Sequence, residues 1–368
     1  MPGTMNLARG PVLVSPTSTT GPERAGESAV MKSNCSLVMT SVAEPESPAL
    51  RACARACAAH AVPFIVIGDA MSPRVFLLDK CDFWGLERQQ GLPFELAGLL
   101  PENSYARKNL GYLIAMYNNA EIIVEIDDDV FLKPEFWHER CRAITAKVVG
   151  NADWVNVYRC FTHHHIWPRG FALDKLHGLQ GLSSPDPPRE VIAPVQQGLA
   201  DDNPDVDALY RLTLPLPVTF EKARTVALGA NSWCPINSQN TTWFKEAFLL
   251  LYLPCHCSFR MTDIWRGFIA QRIAWTCGWH IAFHNATVCH ERNEHDLLKD
   301  FNDEIVGYLN NGRIADDLMK LDLRPGTDAI GDNLLACYAM MIRHGYIGAK
   351  EMELVRAWIN DCRAAIRE

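Results

Sequence analysis

Glu121-Ile-Ile-Val-Glu-Ile-Asp-Asp-Asp129 is the stretch whose reading decides the fold. Its first six residues are short, mostly apolar and rich in β-branched side chains, the composition of a strand buried in a sheet. Three carboxylates in a row at the end of that strand repel one another unless a cation or basic groups sit among them. Hard divalent ions such as Mg²⁺ take oxygen ligands, and use one or two carboxylates together with a substrate's phosphates. Open α/β sheets bind their ligands beyond the carboxyl ends of the strands. The stretch therefore predicts a site for a metal bound to a diphosphate. The plainer alternative is a solvated turn, in which Asp is also common.

Working outward, Cys35–Val42 reads as a first strand. Pro48 opens a helix over Ala49–His60, and Pro63–Asp69 is a second buried strand ending in a Gly-Asp turn. This β-α-β order predicts parallel strands joined by a right-handed crossover. A helix over Tyr105–Asn118, starting near Asn103 or Ser104, feeds the acidic strand. The alternation predicts an α/β sandwich that binds a nucleotide at its strand ends. No G-x-G-x-x-G is present, so a dinucleotide fold of the dehydrogenase type lacks its usual support. Downstream, helices are expected at Pro134–Val148, Asp263–Thr276 and Asp296–Asn310, with a strand at Asp153–Tyr158. Two more helices, Asp332–His344 and Ala349–Arg367, close the chain, and no internal repeat is found. The expected organisation is a disordered leader over 1–33, an α/β domain over 34–312 and a helical extension over 313–368.

Composition sets the outer bounds. At 368 residues, 48% hydrophobic and 21% charged, the chain can bury a full core. Its net charge of −8 argues against a general nucleic-acid binder, which needs a basic surface. The 13 cysteines include no C-x-x-C. Cys53-x-x-x-Cys57 and Cys255-x-Cys257 match no common zinc spacing, and an odd count in a long chain with no secretory signal suggests reduced thiols in a cytoplasm. No stretch reaches the roughly 18 uncharged apolar residues of a membrane span. Ala247–Pro254 is too short, and a soluble, cytoplasmic protein is expected.

Several segments then fall into one order: Ser104-Tyr-Ala-Arg-Lys-Asn-Leu-Gly111, Asp127-Asp-Asp129, Trp167-Pro-Arg-Gly170, Gln196-Gln-Gly-Leu199, Asp205-Val-Asp-Ala208 with Arg211, and Asn237-Ser-Gln-Asn-Thr241. Phe259–Arg272 and Arg292-Asn-Glu-His-Asp-Leu297 complete the series, which runs from about residue 35 to 310. This arrangement resembles GT-A glycosyltransferases, and more narrowly the glycosyltransferase-like domain of the plant STELLO proteins and their microbial relatives. The resemblance implies a GT-A-like fold: a Rossmann-like nucleotide-binding α/β sandwich with a mixed central sheet, followed here by a helical C-terminal region. It implies a metal-dependent transferase that uses Mn²⁺ or Mg²⁺. Such an enzyme takes a nucleotide-sugar donor, a UDP- or GDP-sugar, and a carbohydrate or other hydroxyl acceptor. The plant proteins are membrane-anchored, a setting not carried over to this chain. Two alternatives stand beside this reading. One is a nucleotide-sugar mutase like the reversibly glycosylated polypeptides, which also carry three aspartates. The other is a catalytically silent module that keeps the fold to bind a partner.

The resemblance also assigns residues. Asp127 and Asp129 would hold the metal, and Asp127 and Asp128 the nucleotide, with the register among the three left open. Arg107, Lys108 and Asn109 could reach the base or phosphates, or form a solvated helix face. Gly111 reads as a close-packing residue. Asp263 would be the base that deprotonates the acceptor, or simply an acid favoured by the helix dipole. Arg260 and Arg266 could pair with it or with phosphate. His290 and His295 are five apart and cannot form H-E-x-x-H; His295 is preferred as a late metal ligand. Trp167 could stack on sugar or base and Arg169 could bind phosphate, Trp167 being otherwise a core residue. Asp201, Asp202, Asp205 and Asp207 lack the Gly and Glu of a calcium loop, leaving acceptor contact or loop capping. The helical C-terminus is a candidate homo-oligomer contact.

Overall fold

The computed structural model describes residues 34–150, 153–178, 187–221, 225–291 and 296–367; the expected leader, 1–33, lies outside them. The strands, in chain order, are β1 (Cys35–Thr40), β2 (Phe64–Ile67), β3 (Asp82–Trp84), β4 (Ile122–Ile126), β5 (Val130–Leu132) and β6 (Ala143–Val149). They continue with β7 (Asp153–Trp154), β8 (Arg189–Ile192), β9 (Val195–Asp201), β10 (Thr225–Leu228), β11 (Ser232–Trp233), β12 (Asn240–Phe244) and β13 (Ile281–His290). The helices are α1 (Pro48–Ala59), α2 (Leu86–Gln90), α3 (Glu95–Leu99), α4 (Lys108–Tyr117) and α5 (Ala208–Thr213). Four longer ones follow: α6 (Thr262–Thr276), α7 (Leu297–Met319), α8 (Ile330–Arg343) and α9 (Glu351–Arg367).

One mixed sheet organises the molecule. Its order is β3-β2-β1-β4-β12-β9-β13-β10-β6-β8, with β5 paired to β13 off that path. β3, β2, β1 and β4 run parallel, as the β-α-β order predicts. β12 is antiparallel to both β4 and β9, so the sheet turns mixed past β4. β4 is buried throughout, as a central strand covered on both faces requires, and its one charged residue, Glu125, is buried with a partner in Arg266. Pro48 starts α1, whose buried side is Ala49, Leu50, Cys53, Ala54 and Cys57, a stripe at helical spacing. Gly111 packs α4 onto the sheet: a Cβ there would lie 2.6 Å from Val38 Cγ1 and 2.9 Å from Ile67 Cγ1.

Two expectations fail. The helix over 134–148 is instead a 3₁₀ turn, Pro134–Trp137, followed by strand β6. Ile144, Thr145, Val148 and Val149 are β-branched, and β6 finds ladders on both sides, with β10 and β8. The strand over 153–158 ends at Trp154, and Val157–Cys160 turns as a 3₁₀ helix. The C-terminal helices share the main core: Tyr112 packs edge-on to Trp358, and Tyr252 to Tyr338. Asp361 on α9 accepts the amides of Glu95 and Leu96 at 3.0 and 2.8 Å, capping α3. No helix among the described residues is long and apolar enough to cross a membrane.

Candidate active site

Strand order reverses at β1, where β2 lies on one side and β4 on the other. A parallel sheet opens a crevice at such a switch point, outside the carboxyl ends of its strands. Thr40, Ser41 and Val42 leave β1, and Asp127, Asp128 and Asp129 leave β4, into one cavity of 420 Å³. That is within the range of small-molecule sites. Ser41 Oγ joins the two strand ends by donating to Asp128 Oδ2 at 2.5 Å. Asp69, two residues beyond β2, accepts the amides of Asn103 and Ser104 at 2.8 Å each and so shapes the rim.

The aspartates form the turn between β4 and β5. β5 then pairs antiparallel with the end of β13, setting His290 against Val130. That pairing brings His290 Nε2 to 3.0 Å from Asp129 Oδ2. The other ring nitrogen, Nδ1, lies 2.6 Å from the Asn203 carbonyl. An imidazole anchored to a backbone oxygen on one side is how metal-binding histidines are usually oriented. Asp127 is engaged differently: Oδ1 accepts from the Tyr105 hydroxyl at 2.8 Å, with Lys108 Nζ 3.5 Å away. Burial pushes the Asp127 carboxyl up, against the opposing pull of Lys108, and pushes Asp128 up to about 6. Repulsion from Asp129 adds to both shifts. Six carboxylates and four guanidiniums line the cavity, an excess of two negative charges that a divalent cation would balance.

The far wall is built on Arg169. Its Nη1 and Nη2 meet Asp263 Oδ1 and Oδ2 at 3.0 and 2.8 Å, and its Nε meets Asp205 Oδ1 at 2.8 Å. Burial alone would raise the Asp263 pKa, but the charge and hydrogen bonds of Arg169, with the charge of Arg266 and the Ser238 amide, hold it at about 2. Arg266 itself bonds Glu125 Oε2 at 2.9 Å in the core, where Glu125 also accepts from Trp243 Nε1 and the Tyr112 hydroxyl. Arg260 binds Glu304 Oε1 through Nε at 2.9 Å and Nη2 at 2.7 Å.

Of the sequence-derived site residues, Asp127, Asp128, Asp129, Arg107, Arg169 and Asp263 line the cavity. Arg260, Asp205 and His290 line it too, while several of the rest lie elsewhere or are already engaged. Lys108 is fully buried beneath the wall, donating to the Ile126 carbonyl at 2.8 Å and the Tyr105 hydroxyl at 2.9 Å. Asn109 exchanges two hydrogen bonds with the Leu253 backbone, at 2.8 and 2.9 Å, and touches no ligand space. Trp167 is a core residue whose Nε1 donates to Asp207 Oδ2 at 2.7 Å, so it offers no stacking face. Arg107 reaches the wall, yet its Nε is bound to Gln89 Oε1 at 2.8 Å and its Nη1 to Leu100 O at 3.1 Å. Arg169 is spent on carboxylates instead of a free phosphate seat. Asp201 caps Phe220 N at 2.9 Å and Asp207 caps Tyr210 N at 2.7 Å, so both serve the loop. His295 lies outside the described residues, and His290 is the histidine that faces the aspartates. Replacing Asn109 with Ala should lower stability by about 1–3 kcal/mol, because Leu253 N and O lose their partners. Nucleotide affinity should not change. Urea unfolding beside ligand titration checks this; weakened binding at unchanged stability would restore Asn109 to the ligand site.

Among the described residues, the trio of ligand-type atoms within 4.8 Å of one another is Cys255, His256 and Glu351, away from this cavity. The Glu351 carboxylate there already accepts the His256 amide at 2.8 Å and the Tyr252 hydroxyl. It is a structural clamp. Among the described residues, Asp127, Asp128, Asp129 and His290 form no such trio, so a metal held there would need ligands from elsewhere.

Residues 260–366 match the family model of the STELLO glycosyltransferases. The chain is 28% identical over 319 residues to "Probable glycosyltransferase STELLO2" of Arabidopsis thaliana, covering 81% of this chain and 41% of that protein. With "Probable glycosyltransferase STELLO1" of the same plant the identity is 26% over 328 residues, covering 81% and 40%. The chain thus spans about two-fifths of the length of these relatives. Glucosyl-3-phosphoglycerate synthase from Mycobacterium tuberculosis, crystallised with Mn²⁺, UDP and phosphoglyceric acid, aligns at a TM-score of 0.38 and 13% identity. That alignment covers 76% of this chain and 78% of the other.

Proposed function

We propose that this chain, related to the STELLO glycosyltransferases over 81% of its length, transfers a sugar from a UDP- or GDP-sugar to a hydroxyl acceptor. The observation that carries the reading is the trio Asp127–Asp129 at the carboxyl end of β4, opening with Ser41 into a cavity at the switch point. Asp129 and His290 are the pair suited to hold a divalent cation, and their oxygen and nitrogen donors suit Mn²⁺ better than the oxygen-seeking Mg²⁺. Bound there, the cation would neutralise charge on a departing nucleoside diphosphate. Lys108, through the Tyr105 hydroxyl and Asp127, adds positive charge behind the same point. Ser41 holds Asp128 in place. Arg169 keeps Asp263 ionised and fixed, so Asp263 organises the acceptor wall and makes a weak proton acceptor.

UDP and GDP, each with Mn²⁺, test the reading by thermal shift. At a ligand concentration of 100 Kd, one of them should stabilise the fold by about 2.7 kcal/mol, and only with metal present. Release of nucleoside diphosphate from the matching sugar nucleotide then separates a transferase from a silent module. Interconversion of sugar ring forms without release would indicate the mutase. If neither nucleotide moves the melting temperature, the reading is wrong.

A further inference from the structure

The acceptor wall carries one acid, its side chain 12% exposed, whose bonding is incomplete. Asp205 lines the cavity just beyond β9. Its Oδ1 accepts Arg169 Nε at 2.8 Å, and its backbone oxygen accepts the Arg169 amide at 2.9 Å. Its Oδ2 is buried without a hydrogen-bond partner. Asp263, on the same wall, is in the opposite condition. Its two oxygens face Arg169 Nη1 and Nη2, the Ser238 amide and hydroxyl, and the Ile264 amide, all within 3.3 Å. A carboxylate has about four acceptor sites, so Asp263 is saturated and Asp205 is not. Buried carboxylate oxygens are rarely left unpaired, because the lost hydration is not recovered. The loop is also tied to the metal end, since the Asn203 carbonyl contacts His290 Nδ1 at 2.6 Å.

We infer that Asp205 Oδ2 receives a carbohydrate hydroxyl of the bound ligand, which makes Asp205 the sugar-recognising residue of the site. This rests on the nucleotide-sugar reading above. A hydroxyl is the fitting group: it donates one proton, carries no charge to offset Arg169, and needs little room beside it. The hydroxyl belongs either to the transferred sugar or to the acceptor, and the experiment separates the two.

Wild type and Asp205→Asn are compared by calorimetry with UDP, GDP, UDP-glucose, UDP-galactose and GDP-mannose, each with Mn²⁺. Asparagine retains an acceptor for Arg169 and places an amide where Oδ2 stood, and a matching thermal melt shows that it folds. If the hydroxyl is the donor sugar's, Asp205→Asn binds the bare nucleotide normally and the sugar nucleotide about ten- to a hundredfold more weakly. If it is the acceptor's, donor binding and hydrolysis stay at wild-type levels. Transfer to an added panel of glucose, galactose, xylose and glycerol then falls by a similar factor. Unchanged binding and unchanged transfer overturn the inference and leave Oδ2 to a trapped water. Failure of UDP and GDP alike to bind the wild type overturns the nucleotide reading, and this inference with it.

Discussion

Asp129→Ala should reduce metal-dependent turnover of the sugar nucleotide by about 10²–10³-fold or more, the usual cost of deleting one group that stabilises a developing charge. Asp129 is the aspartate facing His290, at 3.0 Å, while Asp127 is tied to Tyr105 and Asp128 to Ser41. Removing Asp129 therefore takes away a cation ligand, whereas removing Asp128 chiefly loosens the joint between two strand ends. The order of loss should be Asp129 before Asp128. The measurement is Mn²⁺-dependent release of nucleoside diphosphate, with circular dichroism melts to show that the fold persists. Full turnover in Asp129→Ala would remove the cation from the proposed chemistry.

Arg169→Met is the variant expected to cost most stability, about 3–5 kcal/mol, because it leaves the buried carboxylate of Asp263 without its ion-pair partner and takes the Asp205 partner too. Against a typical total of about 5–15 kcal/mol that is a large share. Urea unfolding measures it, and a loss under about 1 kcal/mol would show the pair to be ornamental. Adding Asp263→Leu should recover part of the deficit, since one orphaned charge is then gone. The acid side gives a second readout. The Asp263 carboxyl sits at about 2 in the fold against 3.8 ordinarily. Its contribution to stability is therefore complete above about pH 4 and disappears as the pH falls toward 2. Arg169→Met should lose that slope.

The parallel half of the molecule was legible because its signals are local. A β-branched run ending in Asp127–Asp129, a proline opening α1 and a Gly-Asp turn each follow from neighbouring residues. The antiparallel half depends on pairings between distant segments. β6 reads as a helix until β10 and β8 flank it, and β5 is too short to notice until β13 lies beside it. His290 was passed over for the same reason, since nothing near it in sequence announces Val130 as its neighbour. Arg107, Lys108 and Asn109 illustrate a different limit. Consecutive helical residues point about 100° apart, so the three could not all face one ligand. Only Arg107 reaches the wall, while Lys108 lies under it and Asn109 holds Leu253. Trp167 was ambiguous between stacking and packing, and Asp207 decides it by taking the indole N–H.

The grip of Glu351 gives the far end of the polypeptide a handle on chemistry it never touches. From the first turn of the last helix it gathers the amides of Cys255 and His256, and the backbone it holds runs directly into Phe259 and Arg260 on the ligand wall. Trimming Glu351 would release both amides at once and loosen the segment leading into that wall, although the carboxylate itself lies outside the pocket.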